Sequence, residues 1–169
     1  MRLVIPAAFL SGLMAAPAFA ADLRVDVEIP RLTVAEYHRP YMAIWIETPD
    51  QEAVRTLAVW YDTRLKNNEG KTWLKDVRQW WRRAGRSLAL PADGVSGATR
   101  APGRHQLVFK GNEAPLGTLA PGQYALVVEA AREVGGREVV RVPFQWPAKG
   151  SQRASGSSEL GAVALTVRP

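Results

Sequence analysis

From Asp22 the chain alternates strictly, with Leu23, Val25, Val27 and Ile29 on one parity and Arg24, Asp26 and Glu28 on the other. Successive side chains of a strand point to opposite faces, so this stretch predicts a half-buried strand, which Pro30 ends. Two further runs, 41–48 (Tyr-Met-Ala-Ile-Trp-Ile-Glu-Thr) and 56–61 (Thr-Leu-Ala-Val-Trp-Tyr), are apolar on both parities and rich in β-branched and aromatic residues. They predict central strands covered on both faces, joined through a turn at Pro49-Asp50. Runs at His105 to Phe109, Gln123 to Ala131, Arg137 to Trp146 and Leu160 to Val167 bring the expected strands to seven. With Gly135-Gly136 as a hairpin turn and residues 150–158 as a linker-like loop, this spacing favours an all-β, immunoglobulin-like antiparallel β-sandwich over an α/β fold.

One stretch departs from the strand period. Trp73, Val77, Trp80 and Trp81 recur at helical spacing between Thr72, a candidate N-cap, and Gly85, a stop signal. A short amphipathic helix is expected there. Its other face carries Lys75, Arg78, Arg82 and Arg83, which reads as a solvated face over an aromatic footing or as a platform for anions and rings.

Residues 1–20 read as a secretory signal peptide: Arg2 is the positive start, Leu3 to about Leu13 the apolar stretch, and Ala18 and Ala20 flank Phe19 at the cleavage site. The apolar run is interrupted by Pro6, Ser11 and Gly12 and falls short of the roughly 20 residues that a membrane span needs. Cleavage after Ala20 is expected to leave 21–169 as a single β-sandwich domain in the periplasm, not spanning the membrane.

The sequence has no cysteine. That excludes a disulfide framework, a thiol nucleophile, a cysteine-zinc site, an iron-sulfur cluster and covalent c-type haem, so any redox role needs another cofactor. Net charge is +6, but the basic residues form no long run, and secretion argues against nucleic acid as a partner. Paired carboxylates, a Gly-x-Ser-x-Gly elbow, a P-loop and a His-Glu-x-x-His helix are all missing, which argues against a self-contained hydrolase or kinase. His38 and His105 are the only histidines, too few for a histidine-rich metal site, and no metal ligand is assigned. Glu129 shares strand parity with Ala125, Val127 and Ala131, so it is expected to be partly buried and to need a cation such as Arg100 or Arg132.

The run Asp93-Gly-Val-Ser-Gly-Ala-Thr99, set between Pro91 and Pro102, is expected in an exposed, stiffened loop. It resembles the acceptor motif of FAD:protein FMN transferases, Asp-x-x-Ser/Thr-Gly-Ala-Thr/Ser. The resemblance implies that Thr99 carries FMN covalently through its hydroxyl, with Asp93 and Ser96 at the recognition positions. Gly97 and Ala98 would allow the transferase close backbone approach. Arg100 is the expected counter-charge for the phosphodiester, and Trp80, Trp81 or Trp60 the expected cover for the ring. The structural alternative is a turn in which Asp-Gly and Ser-Gly are ordinary punctuation.

A longer likeness runs from Ala58-Val-Trp-Tyr61 through Trp80-Trp81 and Ser96-Gly-Ala-Thr-Arg-Ala-Pro-Gly-Arg-His105 to Glu159-Leu-Gly-Ala-Val163. It resembles the predicted periplasmic proteins of domain of unknown function 2271. Members of that family are associated with PepSY-type membrane reductases and flavin transferases in envelope electron transfer or iron acquisition. The stretch Phe109 to Tyr124 is also similar to a hairpin of immunoglobulin-like domains in flagellar hook-cap proteins, with Phe109-Lys110 in place of Trp-Asp. The resemblances imply a periplasmic FMN carrier relaying electrons with a PepSY-type reductase, rather than an enzyme with its own substrate. The alternative is a non-catalytic sandwich that binds a partner protein through a sheet edge or the tryptophan-arginine helix.

Overall fold

The alternation that begins at Asp22 is matched by burial: in β1 (Asp22–Ile29) Leu23, Val25, Val27 and Ile29 face the core and the charged residues between them reach solvent. The computed structural model describes residues 21–168, so the signal peptide expected at 1–20 lies outside the described residues. The remaining strands are β2 (Tyr41–Glu47), β3 (Ala53–Tyr61), β4 (Ser96–Ala98), β5 (Gly103–Phe109), β6 (Gly122–Ala131), β7 (Arg137–Trp146), β8 (Gly150–Ser155) and β9 (Ala162–Arg168). They form a four-stranded sheet in the order β5-β1-β9-β8 and a five-stranded sheet in the order β4-β3-β2-β6-β7.

The fold is an all-β sandwich. Its main core lies between the sheets, where Val25, Val27 and Leu165 of the first meet Ile44, Trp60 and Val128 of the second. The second sheet is covered again on its outer face, where Ala43, Trp45, Val59, Tyr61 and Val127 pack under Leu74, Val77 and Trp80. Burial on both faces explains why the sequences of β2 and β3 are apolar on both parities.

The outer layer differs from the expected helix. Residues Lys66–Asp76 form tight 3-10 turns interrupted at Asn67 and Asn68, both in the left-handed region at φ 55° and 56°. A single α-turn, α1 (Arg78–Trp80), follows and widens into a π-turn at Trp81–Gly85. Val77 rather than Thr72 stands at the N-cap of α1, and its side chain supplies no cap. The Glu129 carboxylate does so from β6, accepting the amides of Gln79 (3.0 Å) and Trp80 (2.8 Å). Helix N-termini leave amides unpaired and carry partial positive charge, so a buried carboxylate satisfies both needs. Arg137 completes its pairing at 2.7 Å, not Arg100 or Arg132.

A second wholly buried carboxylate, Glu47, ties the same layer down: Arg141 donates to it at 2.8 Å, Trp45 Nε1 at 3.3 Å, and Arg83 from the π-turn pairs with it as well. Buried charge is costly unless paired, so both glutamates fix where the outer layer sits.

Three expectations need correction. The second sheet is mixed, because β4 runs parallel to β3. The stretch 150–158 is not all loop: β8 pairs antiparallel with β9 from Gly150 to Ser155. Phe109 to Tyr124 forms no hairpin, since Phe109 ends β5 in one sheet and Tyr124 lies in β6 of the other.

Candidate functional site

The Asp93–Thr99 run divides into a turn and an edge strand. Gly94 takes a left-handed conformation at φ 71°, and the turn closes when the amides of Val95 and Ser96 donate to the Ala92 carbonyl at 3.2 and 2.9 Å. The Ser96 hydroxyl accepts the Ala92 amide at 3.0 Å, so this side chain locks the turn. Ser96, Gly97 and Ala98 then pair with Val59, Trp60 and Tyr61 at the edge of the second sheet. A Cβ on Gly97 would lie 3.2 Å from Trp60 Cδ1, which gives the glycine a packing reason as well as an access reason. Asp93 and Ala98 are exposed.

Thr99 follows β4, held by its amide donating to the Tyr61 carbonyl at 3.2 Å. It is half-buried and lines an open cavity of about 690 Å³. Small-molecule sites run from roughly 300 to 1,000 Å³, so the volume suits a ligand of cofactor size. The walls come from four separate stretches: Tyr37 to Tyr41, Asp62 to Arg78, the β4 exit at Thr99, and the β6–β7 hairpin from Ala131 to Arg137.

Five arginines line the cavity, Arg39, Arg64, Arg78, Arg132 and Arg137, against the acids Asp62, Asp76 and Glu133. Three of the five are engaged: Arg64 lies 3.9 Å from Asp62, Arg132 2.9 Å from Glu159, and Arg137 2.7 Å from Glu129. Counted with Glu129 and Glu159, the acids balance the arginines, and Arg39 and Arg78, which make no ion pair among the described residues, are the cations left to meet an anion. Among the aromatic groups, Trp73 is 49% exposed, whereas burial raises the phenols of Tyr37 and Tyr41 above their ordinary value.

The hairpin wall is built tightly. The Arg132 guanidinium is forked onto Glu159 at 2.9 and 3.1 Å, and the same carboxylate takes the Gly136 amide at 2.8 Å. A Cβ on Gly136 would come within 2.7 Å of that carboxylate, so the turn needs glycine there. Val134 at the tip sits at φ 50°, an unusual conformation for a β-branched residue.

Of the six residues that the motif assigns to FMN, Thr99 alone lines the cavity; Asp93, Ser96, Gly97 and Ala98 form the approach to it. Arg100 turns elsewhere, its guanidinium 5.2 Å above the Trp60 ring. Trp60 and Trp80 are buried, Trp80 with its Nε1 donating to Thr56 at 3.1 Å, so neither is placed to cover a ligand. His105 donates to the Ala101 carbonyl at 2.8 Å and packs edge-on to Trp60, away from the cavity. His38 does line the cavity, pairing with Glu36 at 3.0 Å. Among the described residues no group of three or more histidines or carboxylates is placed to hold a metal ion.

The family model described as Predicted periplasmic protein (DUF2271) matches residues 22–162, which includes every wall of the cavity and every strand but β9, of which it reaches only Ala162. The chain belongs to the DUF2271 family. Its localisation is periplasmic. No curated protein and no solved structure matches this DUF2271 chain. Among the described residues no helix is long and apolar enough to cross a membrane.

Proposed function

We propose that this DUF2271 protein is a periplasmic flavin carrier, holding FMN covalently on Thr99 and exchanging electrons with a PepSY-type membrane reductase. The observation that carries the reading is the coincidence of two independent features: the threonine that ends the acceptor-like motif also lines the large arginine-rich cavity.

The donor set fits the group. Attachment needs an accessible hydroxyl on an approachable stretch of backbone, and β4 is a sheet edge with Thr99 at its exit. In the transferase active site Thr99 Oγ would attack the FMN-side phosphorus of FAD; the new oxygen–phosphorus bond replaces the pyrophosphate link, AMP leaves, and the hydroxyl proton passes to a base of the transferase. The cavity arginines then offset the phosphate charge, and the aromatic and apolar wall shields the ring from water. FMN, when bound, supplies one- and two-electron transfer, which a chain without cysteine cannot supply itself.

The test is flavin fluorescence in a denaturing gel after coexpression of the full chain with an FAD:protein FMN transferase. Fluorescence that comigrates with wild type and is lost in Thr99→Ala supports the reading. A dark, folded wild type beside a labelled control acceptor overturns it and favours a partner-binding sandwich.

A further inference from the structure

Exposed apolar side chains that gather in one place mark surfaces with a use, whereas those exposed singly are ordinary. Among the described residues five stand well exposed: Val34, Leu65, Trp73, Val108 and Val134. Three of these, Leu65, Trp73 and Val134, line the cavity that Thr99 lines. They come from separate elements, the first two from the turns over the outer layer and the third from the hairpin tip. Val134 is 80% exposed and holds a left-handed backbone although glycine follows it directly. Trp73 is braced by Lys75, whose Nζ lies 5.5 Å from the ring centroid. The charges divide in the same way: Arg64, Arg132 and Arg137 are spent on carboxylates, and Arg39 and Arg78 make no ion pair among the described residues.

From this arrangement we infer that the cavity is a two-part clamp, with Leu65, Trp73 and Val134 covering a planar aromatic ring and Arg39 and Arg78 taking its phosphate. The inference rests on the flavin reading and deepens it, because it names the side chains that hold the non-covalent part of the cofactor. An indole against an isoalloxazine quenches flavin emission, so the clamp has a signature separate from attachment.

The experiment uses the full chain coexpressed with an FAD:protein FMN transferase, as wild type, Trp73→Ala and Val134→Ser. Intact mass reports attachment, and flavin emission in the native state relative to the same sample unfolded in guanidinium reports the clamp. Wild type is expected to be quenched severalfold when native. Trp73→Ala is expected to keep the full adduct mass but to recover most of that emission, and Val134→Ser to increase quenching by added acrylamide. Full adduct on both variants with emission and acrylamide access unchanged from wild type overturns the clamp and leaves attachment standing. Folded wild type without adduct overturns the flavin reading and the clamp together.

Discussion

The Glu129 carboxylate, wholly buried in β6, accepts the backbone amide of Trp80 at 2.8 Å and so caps a helical turn that lies 49 residues earlier in the chain. The same carboxylate takes the Gln79 amide and Arg137, which links the outer layer, the sheet and a cavity wall through one side chain. Replacing the carboxylate by an amide removes the charge and sets an NH2 donor in place of one acceptor oxygen, against the N–H groups that it served. Glu129→Gln is therefore expected to cost about 2–4 kcal/mol, read as a lower urea midpoint with little change in slope.

Two tryptophans of the same segment separate structure from surface. Trp80 is fully buried with its indole nitrogen satisfied by Thr56, whereas Trp73 is half in solvent. Trp80→Ala should cost about 3–5 kcal/mol, as expected for a large cavity in a packed layer. Trp73→Ala should stay within about 0.5 kcal/mol of wild type, since its exposed ring has little burial to lose. Urea unfolding of both variants checks the contrast.

Much of this was legible in the sequence, and the failures have physical causes. β1 announced itself because one face is buried and one is wet; β2 and β3 did so because both faces are covered. β8 carries no periodic signal, since nearly every side chain from Gly150 to Ser155 is exposed and backbone pairing with β9 does most to hold it, helped by Ala154 against the core and a Ser151–Thr166 hydroxyl contact. β4 is only three residues long and pairs in parallel, beneath the reach of a periodicity argument. The α-turn begins later than the spacing predicts because its N-terminus is set by Glu129 across the fold, and Trp73 lies in the 3-10 run that precedes it. The cavity was invisible for a similar reason. Its walls meet only in three dimensions, so Thr99 was found by motif while Trp73, Arg39 and Arg78 were not marked as its neighbours.

Acid should weaken the loop between β8 and β9 through Glu138. Burial alone would raise its carboxyl, but the amides of Ser157, Leu160 and Ser158 and the Ser157 hydroxyl outweigh that and lower it from 4.5 to about 2. A folded value below the unfolded one gives stability that is present above about pH 4.5 and lost as pH falls towards 2. Glu138→Gln should lower stability at pH 7 by about 1–2 kcal/mol, a modest figure because the site is half-buried. It should also flatten the acid limb, which urea titrations at a series of pH values between neutrality and strong acid will show.

Gly97 tests whether the motif has one purpose or two. A Cβ there would stand 3.2 Å from Trp60 Cδ1, so Gly97→Val crowds the buried indole and is expected to cost about 1–3 kcal/mol. The same bulk stands beside the hydroxyl that the transferase must reach. Labelling of this variant should fall well below wild type even under conditions where circular dichroism finds it folded.

The most direct test of the central claim is peptide mapping by tandem mass spectrometry of the full chain purified after coexpression with an FAD:protein FMN transferase. The account predicts a single FMN phosphoryl adduct on the peptide that holds Asp93–Thr99, with fragment ions placing it on Thr99, and no adduct in Thr99→Ala. An adduct on another residue, or none on folded wild type while a control acceptor in the same cells is labelled, would contradict it.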